Sequence, residues 1–238
     1  MTVGNAGPLA RSAVRRSPRR LGLVVAGLLT AVTVTACADP EPVPDPVLLW
    51  VDGEPGGPLE SDPWVRAARV AEIEFALASN VADFSRPELL NSWTYFRIAD
   101  FAGAVEGDLL HGTPRVYTGP LPFAPVEVRV ADDGKSAEVA ACIDNQEIVP
   151  SQDDGNRWPN AVVFWVDLMD DGLRRVRAVG PPPEPFRLAD GTELTAEYCD
   201  TVPIHRAVFE PVPDLAALGE KDHGDVVPPP SPSPSATS

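Results

Sequence analysis

The sequence is short of cations, of lysine above all, of histidine and cysteine, and of long apolar runs. Each shortage closes off a class of function. Nineteen Lys and Arg stand against 35 Asp and Glu, a formal net charge of −16, and Lys135 and Lys221 are the only lysines. So acidic a chain repels phosphate backbones and lacks the counterion release that drives their binding, so no nucleic-acid partner is expected. No apolar stretch reaches the ~18–20 residues of a secure span, which excludes a polytopic membrane protein. Phosphate loops, dinucleotide fingerprints and a G-x-S-x-G nucleophile context are missing, so no cofactor is expected. His205 and His223 are isolated, and Cys142 and Cys199 lack a nearby histidine, so no metal site is expected. What remains is ordinary globular composition, 44% hydrophobic and 23% charged over 238 residues, enough for one domain with appendages.

The N-terminus carries an address. Arg11, Arg15, Arg16, Arg19 and Arg20 precede the first acidic residue, Asp39, and a 15-residue apolar run, Leu21 to Thr35, follows. Small residues and a cysteine come next, Val34-Thr35-Ala36-Cys37. Residues 1–37 resemble a bacterial lipoprotein signal peptide ending in a lipobox, with Val34 where Leu is more usual. The resemblance implies that Cys37 becomes the first residue of the mature chain and carries lipid such as palmitate. Several acyl chains, at ~0.8 kcal/mol per buried methylene, would hold the protein to the extracytoplasmic face of the cell membrane. Arg19-Arg20 leaves the twin-arginine export route open beside the general one. Without this leader, 14 basic side chains face 35 acidic ones, a formal charge of about −21. With Cys37 committed to lipid, Cys142 and Cys199 remain in an oxidising compartment, as a bridged pair or as two separate buried thiols. A bridge closing ~57 residues is worth roughly 4 kcal/mol in the chain-entropy model.

Residues 38–47 alternate proline with acidic residues and read as a stiff extended stalk. The Pro/Ser-rich end predicts a disordered tail over 216–238. Between them, 48–215 is expected to be a single domain. Asp62-Pro63 starts a helix over about 62–80, with Trp64, Ala68, Ala71, Phe75 and Ala78 on one face and Arg66, Arg69, Glu72 and Glu74 on others. Ser85-Arg86-Pro87-Glu88 has the form of a capping box before Leu89, Leu90 and Trp93. A third helix is expected over about 97–110.

After residue 124 the period becomes two. A two-residue turn at Asp133-Gly134 pairs Val130 with Ala137, Val128 with Val139 and Arg129 with Glu138, with Val126 on the core face. Cys142 then lies on the outer face, and its partner must come from outside the sheet. A three-residue loop at Asp170-Asp171-Gly172 pairs Val166 with Val176, Phe164 with Ala178, Asp167 with Arg175 and Trp165 with Arg177. These Asp-Asp-Gly triplets, with a third inside the polar insertion 151–160, read as turns and not calcium loops. A turn at Asp190-Gly191 and a strand around 192–198 end the pattern.

Helices followed by antiparallel hairpins describe an α+β domain, with N-terminal helices packed on a curved antiparallel sheet. Residues 62–180 resemble actinobacterial lipoproteins with a nuclear-transport-factor-2-like (cystatin-like) domain, on the strength of Trp64–Trp93, the hairpin ending Ala141-Cys142-Ile143-Asp144 and the hairpin through Asp-Asp-Gly. The resemblance implies a cone-shaped cavity between helix and sheet, and a late cysteine paired with the one in the second strand. The superfamily holds isomerases, dehydratases, secretion-system subunits and non-catalytic binding modules, so fold alone assigns no activity. For an enzyme, Tyr95, Asp100 and His111 are the candidate catalytic residues. For a carrier of a small apolar ligand, Trp64, Phe75, Trp93, Phe96, Phe101 and Phe164 are the candidate lining. For an interaction module, a homodimer or an envelope protein partner would dock on sheet or helix. The expectation is a lipid-anchored accessory protein, leaning away from catalysis.

Overall fold

The computed structural model describes residues 45–144, 161–183 and 185–232. Cys37 and the signal segment, residues 38–44 of the stalk, the 151–160 insertion and residues 233–238 lie outside them. Among the described residues no helix is long and apolar enough to cross a membrane.

Three helices come first. Helix α1 is Pro63–Val81, α2 is Pro87–Ser92 and α3 is Tyr95–Leu110. The Asp62 carboxylate accepts the Trp64 N–H at 2.7 Å, and Pro63 occupies the first turn, where no N–H is missed. The capping box at Ser85 does not form: Arg86 is the N-cap residue, without a side-chain bond. Ser85 turns back instead, its N–H and hydroxyl both donating to Asp83.

Four antiparallel strands follow: β2 Phe123–Val130, β3 Ser136–Ile143, β4 Ala161–Leu168 and β5 Arg174–Gly180, in the order β2-β3-β4-β5. The molecule is therefore mixed α+β, with helices against an antiparallel sheet. In the first hairpin Val130 pairs with Ala137, Val128 with Val139 and Arg129 with Glu138. The turn itself differs. Gly134 N–H donates to Ala131 C=O, so Asp132 and Asp133 are the central residues, and Gly134, at φ 67°, takes the left-handed position that follows them. A bulge between Pro125 and Glu127 turns Val126 to the outer face. Arg129 takes Glu127 as its ion-pair partner, and Glu138 accepts the Trp165 indole N–H at 3.2 Å.

The second hairpin has its three-residue loop, closed by Gly172 N–H on Met169 C=O. Val166 pairs with Val176 and Asp167 with Arg175. A bulge at Arg177 then shifts the register, so Phe164 meets Val179 and Trp165 meets Ala178. The expected cation–π contact of Arg177 with Trp165 gives way to an ion pair of Arg177 with Asp167 at 2.9 Å. A bulge adds one residue to one strand, and periodicity alone does not reveal it.

The sheet buries both faces at its β3–β4 centre. Helices cover one face, where Trp93, Phe123, Phe164, Val139, Val166 and Val176 are buried. The other face carries Ala140, Cys142, Ala161 and Val163 beneath Phe186, Leu188, Leu194 and Cys199. The covering chain turns at Gly191 and enters a short helix, α4 (Ala196–Cys199), capped by Thr195, so the strand expected over 192–198 is replaced by a single bridge of Glu193 with Arg187 and the helix. Cys142 and Cys199 form a disulfide.

Two strands far apart in sequence, β1 (Val47–Trp50) and β6 (Ala207–Glu210), pair antiparallel as a separate arm. Residues 216–227, expected to be disordered, are structured. Helix α5 (Leu215–Gly219) buries Leu218, a 3-10 turn follows over His223–Asp225, and Val227 exchanges backbone hydrogen bonds with Ala82 and Phe84. The Pro/Ser composition conceals these anchors because they are isolated apolar residues without a period.

Removing the disulfide returns loop entropy to the unfolded chain. Cys142→Ser and Cys199→Ser are expected to lose the same stability, up to roughly 4 kcal/mol, with no further loss in the double variant. Urea denaturation measures this, and additive losses would contradict it.

Candidate functional site

The aromatic set expected to line a cavity fills the space between helices and sheet. Ring centroids lie 4.3 Å apart for Phe75 and Phe101, 4.9 Å for Trp93 and Phe101, and 4.8 Å for Phe123 and Phe164. Trp64, Trp93 and Phe164 are buried, Phe75 and Phe101 half-buried. The Trp93 indole N–H donates to Ala71 C=O at 2.7 Å, satisfying its one donor inside the core. Phe96 is not lining: it is 81% exposed, on the face of α3 opposite Ile98 and Ala102.

Tyr95, Asp100 and His111 do not form a site. Tyr95 is half-buried in the first turn of α3, its ring beside Phe96. Asp100 is exposed and pairs with Arg97 at 3.5 Å. His111 is exposed at the helix end, its Nδ1 2.6 Å from Gly107 C=O. The buried stripe of α3 runs through Ile98 and Ala102, which leaves Asp100 facing water.

The ionisable group that does sit inside is Glu72, 4% exposed on α1. Sequence spacing places it off the stripe of Trp64, Ala68 and Ala71. It lies on a second stripe with Val65, Ala76 and Ser79, all buried. The apolar flank Ile73, Ala76 and Leu77 was the readable sign that α1 is covered on a second side. The cover is the β1–β6 arm. Leu48 and Phe209 from the arm pack with Tyr117 on Ile73, Ala76 and Leu77.

Glu72 faces a cavity of about 10 Å³ walled by Arg69, Ile73, Trp50, Pro120, Leu121, Pro122, Phe123, His205 and Ala207. That volume holds about one water. A shallower groove of about 240 Å³, between Pro55–Glu60 and Val202–Pro203, shares Arg69, Phe123 and His205 with it. Arg69 stands at the junction. Its guanidinium grips Glu60 with two hydrogen bonds of 2.6 and 2.5 Å, donates to Phe123 C=O at 3.2 Å, and lies 4.2 Å from the Phe123 ring centroid. Bidentate pairing and ring contact fix its plane.

Burial pushes the Glu72 carboxyl up from its ordinary 4.5 to about 8, with the Arg97 charge opposing. Burial also raises the nearby Tyr117 phenol, against the pull of Arg115. At neutral pH Glu72 is thus mostly a protonated acid, able to donate a hydrogen bond or release a proton. Among the described residues no group of three or more His, Cys, Asp or Glu is placed to hold a metal ion.

Two outcomes are expected. Phe164→Ala costs about 3–5 kcal/mol by chemical denaturation, whereas Phe96→Ala stays within about 0.5 kcal/mol; equal costs would overturn the placement of both. For Glu72 the sign follows from a raised folded-state pKa. Its contribution is fully present below about 4.5, where both states are protonated, and is lost as pH rises toward about 8, because the unfolded chain ionises first. Stability measured between pH 5 and 8 is expected to fall by on the order of 1 kcal/mol per pH unit from this group, a slope that Glu72→Gln removes. The same slope in both proteins would contradict a buried neutral acid. Comparison of the chain with protein-family models, with curated proteins and with solved structures returns no match.

Proposed function

We propose that this protein is a lipid-anchored accessory protein of the extracytoplasmic membrane face, a non-catalytic interaction module with a nuclear-transport-factor-2-like domain. The observation that carries the non-catalytic reading is the filled interior. Where a carrier or enzyme of this shape would hold its ligand, Phe75, Trp93, Phe101, Phe123 and Phe164 meet ring to ring. Function then falls to the surface, to a homodimer contact or an envelope partner. The order of helices and hairpins supports the fold assignment. The Cys142–Cys199 bridge supports an oxidising compartment, since such bonds persist outside the cytoplasm.

A second reading, an isomerase- or dehydratase-like enzyme, draws on Glu72, a buried acid in largely apolar walls. The cavity beside it takes about one water and adjoins the groove of about 240 Å³ at Arg69, Phe123 and His205.

Metabolic labelling with a palmitate analogue tests the anchor. The wild-type chain is expected to incorporate label and Cys37→Ala to lose it; equal labelling of both, or of neither, would overturn the anchoring reading.

A further inference from the structure

The arm packs over the cavity that Glu72 faces. Trp50 of β1, Ala207 of β6 and His205 just before it form walls of the cavity opposite α1. Hydrogen bonds hold the arm and its neighbours down: Phe209 N–H donates to Thr118 C=O at 2.8 Å, and Asn80 clasps the Tyr117 backbone with bonds of 2.8 and 2.7 Å. Gly119 permits the approach, since a Cβ there would stand 1.9 Å from the Ala207 carbonyl oxygen.

A neutral carboxyl tolerates this enclosure, and a carboxylate does not. The anion needs several donors or waters, and the cavity admits about one water. Most of the groups around Glu72 are already committed. Arg69, on its own helix, is bound to Glu60 and to Phe123 C=O. Arg97 of α3 pairs with Asp100 through a terminal nitrogen at 3.5 Å, and its buried Nε has no hydrogen-bond partner. His205 has Nδ1 against the carbonyls of Asp52 and Gly53, and Tyr117 packs in the cluster beneath the arm. Among the described residues none donates a hydrogen bond to Glu72.

We propose that Glu72 is a proton-operated latch: the neutral acid keeps the β1–β6 arm seated on α1, and loss of its proton lets the arm lift and water reach the carboxylate. The arm therefore opens as pH rises. A single proton changes the opening equilibrium by at most about tenfold per pH unit. This inference does not depend on the anchoring or interaction reading.

Hydrogen exchange of the full chain between pH 6 and 9, corrected for intrinsic exchange rates, tests it. Amides of 47–51 and 206–210 are expected to lose protection by up to about tenfold per pH unit from pH 6 to about 8 and to level off above it, while β3 and β4 hold theirs. Glu72→Gln is expected to flatten that profile, and His205→Asn to keep it. A flat wild-type profile, a loss shared by β3 and β4, a loss that persists in Glu72→Gln, or one abolished by His205→Asn would each overturn the latch. Should Glu72→Gln fail to fold, the location of the loss in the wild type and the His205→Asn profile still decide.

Discussion

The structure depends on α1 being packed from two sides at once. Its alanines, Ala68, Ala71 and Ala78, are fully buried, and residues so small let the helix lie close on the sheet. Around that contact the large side chains converge: Trp64 and Val65 from α1 itself, Trp93 after α2, Ile98 from α3, and Phe123, Phe164, Val166 and Val176 from the strands. Burying aromatic side chains of ~150–250 Å² each at ~25 cal/mol per Å² supplies roughly 4–6 kcal/mol apiece before entropy is subtracted. The Trp93 indole hydrogen bond to Ala71 C=O ties the largest of these rings to the helix backbone.

The second side of α1 explains why an acid is buried. Once the arm covers Ile73, Ala76 and Leu77, Glu72 beside them is left only 4% exposed. A neutral carboxyl meets that constraint at modest cost, whereas an anion would meet it only with donors that the site does not supply. Arg69, at the mouth, is balanced by Glu60 and so leaves the interior close to neutral. The same packing leaves room for about one water beside the carboxyl.

What could be read beforehand was local. The helix start at Asp62-Pro63 needs only the capping side chain and the proline. The hairpin registers follow from alternation with charged residues between, which is why Val130–Ala137 and Val166–Val176 fall where expected. The outward direction of Cys142 follows from the same parity, and with it a partner beyond the sheet. What escaped was non-local or irregular. The bulges at Val126 and Arg177 leave the composition of their strands unchanged. Strands β1 and β6 are four residues each and about 160 positions apart, so neither carries a pattern that points to the other. The burial of Glu72 follows from that missing pairing, since a carboxylate beside an apolar stripe reads as solvated until a second layer covers it. Phe96 shows the reverse: an aromatic at helical spacing that the turn of α3 carries outward.

Diffraction from crystals pressurised with xenon tests the central claim most directly, because xenon enters apolar voids that water leaves dry. A filled interior predicts no xenon site between α1 and the four-stranded sheet. An ordered xenon atom there, in contact with Phe75, Trp93, Phe101 or Phe164, would contradict the account and restore a ligand cavity to the fold.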